Sequence, residues 1–292
     1  MSSTIFDDLA TLVRSTVERT SPSVVAIGRH GRGSGFVVSP GRIVTNAHNL
    51  RDRTTSVHFA DGRSAQGTLT GSDLDGDLVV LDVDTGDAPA LEWADDTVDT
   101  GDVVVTVAAG RRQVRAAWGQ VTAAGREFRG PRGRRIGGAI EHTAPAASGS
   151  SGAPVLDRDG DVVGINTHRL EHGFYLARAT SVALRKRIDA LSAGRSFGRV
   201  RLGVAFGHGG GLVVRSVAED SPAAAAGIAT GDLLVRAGPR DLATPEDLFA
   251  VLGEHPLDEE LAVRFVRNGE LTTVTVSFAD PPAGDAAESG SA

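Results

Sequence analysis

The sequence predicts a mainly β protein, and three observations support this prediction. From Val24 to about Ile188 the chain forms short apolar and β-branched runs that Gly, Pro or Asp interrupts at close intervals. Glycine is abundant at 37 residues, whereas aromatic residues make up only 4%, which favours short strands and turns over a helical bundle. Such a pattern is typical of a sandwich or a pair of barrels. The length of 292 residues suggests two domains of ordinary size.

The first predicted element is a helix, and strands follow it. Residues 4–19 carry apolar side chains at helical spacing, and Ser21–Pro22 ends the helix because a residue before proline avoids helical backbone angles. We expect residues 1–21 to pack on their own domain or to serve as an oligomerisation contact. Within a first domain at 22–190, the strands predicted include 24–27, 35–38, 42–45, 55–59, 78–83, 103–107, 139–142 and 162–167.

A second domain is predicted at residues 200–279, after a small, polar linker at 191–199. Asn268–Gly269 is the strongest short hairpin signal in this region. Residues 280–292 have the composition of a disordered tail. The elements predicted in the domain are strands at 211–217 and 233–236, a helix at 245–252, and hairpin arms at 261–267 and 271–278.

The composition argues against several kinds of function. The net charge is −7 and no basic tract is present, whereas nucleic-acid binding needs clustered Lys and Arg. The chain has no cysteine, so it has no disulfide and no cysteine-based site. No apolar stretch approaches the length of a membrane span. The first residues do not resemble a signal peptide, so we expect a cytoplasmic protein, periplasmic or extracellular only if the N-terminus is truncated.

Ser151 is the candidate nucleophile of an acyl-transfer reaction. It lies in Gly149-Ser150-Ser151-Gly152-Ala153-Pro154, where small residues allow a tight turn. Such a turn can aim the amides of Gly149 and Ser151 at one point and form an oxyanion hole. A Ser/Gly-rich surface loop would have the same composition, so this segment alone does not establish chemistry.

Two further residues complete a candidate triad. His48 follows the apolar run Ile43-Val44-Thr45 and enters a turn of small residues. Asp77 directly precedes the apolar run Leu78–Leu81, and Asp73 and Asp75 are its local competitors. The order His, Asp, Ser is that of chymotrypsin-type proteases. The separations, 29 residues and then 74, suit two residues in one barrel and the serine in the next.

These motifs together resemble the HtrA/Deg-type, trypsin-like serine proteases that carry a PDZ domain. The matching segments are Gly33-Ser34-Gly35-Phe36, Thr45-Asn46-Ala47-His48, Asp77–Leu81, Gly149–Val155 and Gly160–Thr167. The resemblance extends from Phe6 to Phe278. It implies two six-stranded antiparallel β-barrels of the chymotrypsin type, followed by an α+β PDZ domain.

The sequence departs from this family at three positions near the candidate site. Ser150 replaces the usual asparagine, and Ala153 replaces the second glycine of the nucleophile motif. Asn49 follows the histidine where the family carries an apolar residue. None of these changes removes a member of the triad.

The segment His168-Arg169-Leu170-Glu171-His172 also matches the H-x-x-E-H motif of inverted zinc proteases. Zinc binding there requires a helix, so that both histidines share one face. Here the motif lies between a predicted strand and Gly173-Phe174-Tyr175-Leu176, which predicts a hairpin instead. We therefore expect no metal site and no organic cofactor.

The resemblance also implies where a substrate side chain and a peptide would bind. It places Ala146, Ile165 and Asn166 at the specificity pocket, which predicts a preference for small or medium aliphatic side chains. His168 and Arg169 could favour an acidic side chain instead, but we expect both to point into solvent. In the PDZ domain, the amides near Leu202, Gly203 and Val204 would hold the carboxylate of a peptide C-terminus.

The preferred hypothesis is a serine endopeptidase with a PDZ domain. The resemblance implies that its substrates are unfolded or damaged proteins and that it assembles as a homotrimer or larger oligomer. The alternative is a catalytically silent protease fold that acts as a peptide-binding chaperone or scaffold through its PDZ domain.

Overall fold

The computed structural model describes residues 4–95, 97–110, 113–129, 135–170, 173–198, 200–207, 211–257 and 259–278. The predicted disordered tail at 280–292 lies outside these residues. The chain divides into two compact units, residues 1–195 and 196–292. The first unit contains two closed six-stranded antiparallel barrels and the second contains a separate sheet, which confirms the predicted fold class.

The chain begins with helix α1, Ile5–Thr20. Thr4 caps it through a reciprocal pair of hydrogen bonds with Asp7, which satisfies amides that the first turn leaves without partners. Thr16 and Thr20 are buried, whereas Ile5 and Phe6 are 77% and 78% exposed. The helix therefore leaves two large apolar side chains at its start in contact with solvent.

The first barrel contains the predicted histidine and aspartate. Its strands pair in the order β1-β2-β3-β6-β5-β4, and β1 pairs with β4 to close the barrel. Its core includes Ile27, Val57 and Phe59. The strands are β1 (Val24–Ile27), β2 (Gly33–Ser39), β3 (Arg42–Thr45), β4 (Thr54–Phe59), β5 (Ser64–Asp73) and β6 (Leu78–Asp82).

The second barrel contains the predicted nucleophile. Its strands pair in the order β10-β11-β12-β9-β8-β7, and β10 pairs with β7 to close it. Val104, Ile140 and Val155 are among its buried core residues. The strands are β7 (Val103–Ala109), β8 (Val114–Arg129), β9 (Arg135–His142), β10 (Pro154–Leu156), β11 (Val162–Arg169) and β12 (Tyr175–Ala179).

Helix α2, Val182–Ser192, overlaps the start of the segment predicted as a linker. Ser181 caps it by accepting a hydrogen bond from the amide of Leu184. Leu184, Ile188 and Leu191 recur at helical spacing and are buried, and Leu191 has no exposed surface. The polar composition of the following residues conceals this apolar face in the sequence. The first compact unit ends at residue 195, after this helix.

The second unit is a sheet with two helices. Its strands pair in the order β13-β14-β15-β17-β18, and β16 pairs with β15. Leu212, Val263 and Phe265 lie in its core. The elements are β13 (Val204–Phe206), β14 (Leu212–Val217), α3 (Pro222–Ala225), β15 (Leu233–Ala237), β16 (Arg240–Asp241), α4 (Pro245–Glu254), β17 (Leu261–Arg267) and β18 (Glu270–Val276).

The closing hairpin forms as its turn residues predict. Asn268 and Gly269 have φ angles of 52° and 85°, which the turn between β17 and β18 requires at both central positions. Among the helices of the described residues, none is long and apolar enough to cross a membrane.

Candidate active site

The loop between β9 and β10 holds Ser151 in a tight turn beside the first barrel. Gly152 has a φ angle of +85°, and a Cβ atom there would lie 2.2 Å from the carbonyl oxygen of Ser34. Glycine is therefore required both by the backbone angle and by the close approach of β2. Ala153 is fully buried and does not adopt a positive φ angle, so the methyl group that departs from the family pattern is accommodated.

His48 lies in a short 3₁₀ turn, Ala47–Asn49, directly after β3. Its Nδ1 is 2.8 Å from Oδ2 of Asp77, and its backbone amide donates to Oδ1 of the same carboxylate at 3.1 Å. Because the carboxylate can only accept, Nδ1 carries the proton and Nε2 is left as the acceptor. The imidazole is thus held in the tautomer that a general base requires.

Asp77 is held in an unusual backbone conformation. It is one of three non-glycine residues with a positive φ angle among the described residues, at 55°, and only 1% of it is exposed. The side-chain amide of Asn46 and the backbone amide of Ala47 donate to its carbonyl oxygen at 2.9 and 3.2 Å. Such strain persists only where neighbouring groups fix it, and it commonly marks functional positions.

The two competing aspartates take other roles. Asp73 accepts a hydrogen bond from the amide of Gly76 and lies 3.5 Å from the guanidinium of Arg187. Asp75 is buried. No hydrogen bond links either carboxylate to His48 among the described residues, so the structure brings Asp77 to the histidine and not its neighbours.

The hydroxyl of Ser151 faces three acceptors. Its Oγ is 2.7 Å from Nε2 of His48 and 3.1 Å from both Oδ1 of Asn46 and the carbonyl oxygen of Thr167. The shortest contact is the one to the imidazole, which can remove the proton as the oxygen attacks a carbonyl. The arrangement therefore has the geometry of an acyl-transfer site.

Thr167 is a site residue that the sequence interpretation missed. Its Oγ1 lies 3.3 Å from Oδ2 of Asp77 and 2.9 Å from Nδ1 of His168. If Nδ1 of His168 carries its proton, it donates to the hydroxyl, which in turn donates to Asp77. The sequence does contain a signal for it, because Thr167 is the last residue of the segment Gly160–Thr167 that carries the family resemblance.

The two amides predicted to form the oxyanion hole are available. The amides of Ser150 and Gly152 are bonded to the carbonyl oxygens of Ala147 and Asn166, at 3.1 and 2.8 Å. The amides of Gly149 and Ser151, which alternate with these two along the loop, donate to no acceptor among the described residues. Gly149 has a φ angle of +89° and lies against the backbone of Gly31, which leaves no room for a side chain.

Residues of the first barrel support the nucleophile loop. The amide of Ser34 donates to the carbonyl oxygen of Ser151 at 2.8 Å, and its hydroxyl donates to that of Gly149 at 2.8 Å. Asn49, which is 2% exposed, donates from Nδ2 to the same Ser151 carbonyl and to Oγ1 of Thr45, both at 2.9 Å. The polar residue that departs from the family pattern thus holds the backbone of the nucleophile.

A pocket of about 330 Å³ opens beside Ser151, and we call it the primary pocket. Of the three residues predicted for the specificity pocket, Ala146 and Asn166 line it, but Ile165 does not, because its side chain is fully buried. The other lining residues are Ala147, Ser148, Gly149, Ser150, Ser151, Thr167, His168, Arg169 and Tyr175.

A buried polar network lies behind this pocket. Asn166 donates to Oγ1 of Thr106 at 2.7 Å and accepts from Nε2 of His142 at 2.9 Å. His142 is fully buried, stacks on Tyr175 and has no partner for Nδ1 among the described residues. Burial lowers the pKa of His142, and the hydrogen bond to Asn166 opposes this shift only in part. Burial therefore favours the neutral form of the His142 imidazole.

His168 differs from the expectation that it points into solvent. Its ring is half-buried, with centroids 5.2 Å from Phe128 and 6.4 Å from His48, whereas Arg169 is exposed. Burial lowers the pKa of His168, and the charge of Asp77 raises it by a smaller amount.

The H-x-x-E-H segment does not form the helix that zinc binding requires at His168, because His168 belongs to strand β11. Glu171 and His172 of this segment lie outside the described residues. The described residues contain no cluster that could hold a metal ion.

The second unit has a groove of about 470 Å³ between edge strand β13 and helix α4. The three predicted residues, Leu202, Gly203 and Val204, all line it. Gly203 has a φ angle of +83°, and a Cβ atom there would lie 2.2 Å from Cβ of Ser221. Phe249 on α4 also lines the groove and is 62% exposed. An edge strand beside an apolar helix face suits an added peptide strand.

Comparison with known families and proteins agrees with this description. A trypsin-like peptidase domain model matches residues 33–165, and a PDZ domain model matches residues 194–278. A probable periplasmic serine endoprotease, DegP-like, from Rickettsia prowazekii is 26% identical over 264 residues, covering 82% of this chain and 51% of the relative. A relative of the same name from Brucella suis is 30% identical over 291 residues, and the match covers 89% of this chain and 54% of the relative. The chain thus spans about half the length of the curated relatives it matches.

Solved structures show the same fold. A serine endoprotease from Yersinia pestis is 27% identical, with a TM-score of 0.62 and coverage of 91% of this chain and 96% of that one. The HtrA-type protease AlgW with decapeptide is 23% identical, with a TM-score of 0.65 and coverage of 92% of this chain and 99% of that one. At this identity, the similarity to AlgW shows a shared fold alone.

The relatives contradict the predicted cytoplasmic location. They are named periplasmic serine endoproteases, so the cytoplasmic prediction is wrong. That prediction depended on where the given sequence begins, and the absence of a signal peptide from its first residues does not establish the location of the protein. The two domain models and the named relatives instead agree on one assignment: the chain belongs to the HtrA-type proteases, with a trypsin-like peptidase domain followed by a PDZ domain.

Proposed function

We propose that this chain is a serine endopeptidase in which His48, Asp77 and Ser151 form the catalytic triad. The observation that carries the proposal is the continuous contact from Oγ of Ser151 through the imidazole to Asp77, at 2.7 and 2.8 Å. Thr167 donates to the same carboxylate at 3.3 Å and so acts as a positioning residue.

The reaction follows from these contacts. Oγ of Ser151 bonds to the carbonyl carbon of the peptide while its proton passes to Nε2 of His48. The amides of Gly149 and Ser151 donate to the oxyanion that forms. The C–N bond then breaks, and the departing amine takes the proton from Nε2. Water attacks the remaining ester, with His48 again accepting and returning the proton, and frees the carboxylic acid and Ser151.

The substrates we propose are unfolded or damaged proteins. The primary pocket accepts one side chain, and its lining of Ala146 and Ala147 beside small polar residues suits a small or medium aliphatic group. The groove at Leu202, Gly203 and Val204 would bind a peptide C-terminus as a strand added to β13. The named relatives are endoproteases, so the alternative of a silent scaffold is not favoured.

We further propose that the chain assembles as a homotrimer, as the family resemblance implies. We also propose that it acts in the periplasm, which is the location that the relatives' names state for those proteins. The exposed Ile5 and Phe6 at the start of α1 are the apolar surface that such an assembly would cover. Light scattering of the purified chain measures this state directly, and a monomer at micromolar concentration would contradict the trimer.

Digestion of casein by the wild-type chain and by Ser151→Ala tests the activity. We expect the substitution to lower the rate roughly 10⁴-fold or more, because no other group can form the ester. Activity should also persist in a strong chelator, since no metal takes part in the proposed steps. Equal cleavage by both proteins would contradict the mechanism, and no cleavage by either, with tight peptide binding, would favour the scaffold.

A further inference from the structure

A second cavity, of about 1080 Å³, lies on the first barrel and is not used by the steps described above. It is bounded by the turn between β1 and β2 and by the faces of β4 and β5. Arg29, Arg32, Arg51 and Asp52 are its charged lining residues, apart from two histidines. We call this cavity the basic cleft. Its volume reaches the upper end of ordinary binding sites, about 300–1,000 Å³.

The three arginines of the basic cleft are free to bind an external anion. All three are exposed, and none forms an ion pair with another described residue within 4.0 Å. The only carboxylate in the lining is that of Asp52. This concentration of positive charge stands out because the whole chain carries a net charge of −7.

The basic cleft begins at the nucleophile loop. Ser148 lines both this cleft and the primary pocket, so the two cavities meet directly before Gly149. Asn49 lines the basic cleft and bonds to the carbonyl oxygen of Ser151. Gly31, another lining residue, has its carbonyl oxygen 2.7 Å from where a Cβ atom of Gly149 would be. The cleft therefore lies on the side of the loop away from Thr167 and Arg169.

The position of the basic cleft indicates which part of the substrate it contacts, relative to the scissile bond. During acyl transfer the half before the scissile bond stays on Ser151, with its side chain in the primary pocket beside Thr167 and His168. The half after the scissile bond must lie on the other side of Ser151, and that is where the basic cleft opens. A polypeptide extends about 3.3 Å per residue, so several residues of this half fit along the cleft.

We propose that the basic cleft binds the substrate segment on the carboxyl side of the scissile bond and selects segments rich in Asp and Glu. The inference rests on the endopeptidase function proposed above. Each exposed arginine–carboxylate pair is worth a few-fold in binding, so three together amount to about a 5- to 30-fold preference at low salt. Because the groups are exposed, the preference shrinks as salt screens the charges.

Internally quenched peptides test the proposal. Two peptides share the residues before the cleaved bond and carry Asp-Glu-Asp or Asn-Gln-Asn after it, and both end in a carboxamide so that the PDZ groove does not select between them. We expect kcat/KM to favour the acidic peptide about 5- to 30-fold in low salt and less than about 3-fold in 0.5 M NaCl. In the triple variant Arg29→Gln/Arg32→Gln/Arg51→Gln, the ratio should fall to about one. Arg115→Gln, an exposed arginine on β8 of the same unit, should keep the wild-type ratio.

Direct binding separates failure of this inference from failure of the proposed function. The Kd of each peptide is measured by fluorescence anisotropy on Ser151→Ala, with and without the three arginine substitutions. If the wild type cleaves neither peptide but Ser151→Ala prefers the acidic one in an arginine-dependent way, the cleft assignment stands and the endopeptidase function fails. Equal kcat/KM for both peptides, or equal Kd where there is no turnover, would overturn the assignment. A preference that survives the triple substitution would also overturn it.

Discussion

Asn49 shows how a single departure from the family pattern is built into the site. Its carbonyl oxygen Oδ1 has no partner among the described residues, whereas Nδ2 bonds to both Thr45 and Ser151. The amide orientation is fixed because the carbonyl oxygen of Ser151 can only accept. The side chain also occupies the space beside Gly33, where a Cβ atom would lie 2.1 Å from Nδ2. Asn49, the residue directly after His48, therefore bonds to the backbone of Ser151 itself.

Substitution of Asn49 by leucine tests this positioning role. Leucine has a similar size and matches the apolar residue of the family, but it cannot donate to the Ser151 carbonyl. Loss of about 1–1.5 kcal/mol of hydrogen bonding predicts a roughly 10-fold lower kcat with little change in KM. Peptide hydrolysis kinetics measure both constants. An unchanged kcat together with a lower melting temperature would mean that the amide serves stability alone.

At the scale of elements, two neighbouring elements form the groove of the second unit, and each contributes a different kind of contact. Edge strand β13 offers unpaired backbone groups, and helix α4 offers the exposed Phe249. The unit is stabilised elsewhere, because Arg267 forms two hydrogen bonds to the buried Asp232 at 2.7 and 2.8 Å. Arg267 lowers the pKa of Asp232, the hydrogen bond between them being the largest cause. Binding and stability can therefore be separated by mutation.

We expect Phe249→Ala to weaken binding of a peptide with an apolar C-terminal residue about 3- to 10-fold, since part of the buried apolar surface is lost. Leu271→Ala is the matched control, because Leu271 is 63% exposed in the same unit and does not line the groove. Fluorescence anisotropy on Ser151→Ala gives the Kd values. Equal weakening by both substitutions would exclude a specific contact with Phe249.

At the scale of the whole molecule, His142 makes the stability of the first unit depend on pH. Burial lowers its pKa below the value of about 6.5 that an exposed histidine has in an unfolded chain. The folded state therefore favours the neutral imidazole, and its stability is complete above about pH 6.5. As the pH falls below that value, the unfolded state takes up the proton first, and the folded state loses stability.

Urea unfolding of the first unit should show this loss, with up to about 1.4 kcal/mol per pH unit below pH 6.5. His142→Gln keeps a donor for Asn166 but does not titrate, so we expect a flatter dependence between about pH 7 and pH 5. His255→Gln, in the second unit, should keep the wild-type dependence. If His142→Gln and wild type have the same slope, another group is responsible.

Particular residues explain how much of this could be predicted from the sequence. The residues of the proposed triad could be identified because each follows or precedes an apolar strand and because their order matches one known arrangement. The strands Val24–Ile27, Arg42–Thr45 and Leu261–Arg267 coincide with their predicted bounds, since turn residues limit them on both sides. The family resemblance predicts Ile165 in the pocket, whereas its side chain is fully buried within β11.

Other features could not be predicted, because they depend on contacts between distant segments. The bonds of Thr167 to Asp77 and of Asn49 to Ser151 join positions 90 and 102 residues apart. The basic cleft likewise assembles from the β1–β2 turn and from β4 and β5 once the barrel closes. Composition alone gave no indication of it, because the chain as a whole is acidic.

The position of Ser34 makes the nucleophile loop depend on how the two barrels dock. This one residue of the first barrel bonds to the carbonyl oxygens of Gly149 and Ser151 in the second barrel, and the amide of Ala109 donates to its hydroxyl at 3.2 Å. The bonds from Ser34 to these two carbonyl groups of the nucleophile loop thus form only while the barrels stay docked. A slight separation of the barrels would break these bonds and leave the loop without this support. We expect such a separation to impair the proposed catalysis even where the strands of both barrels remain paired.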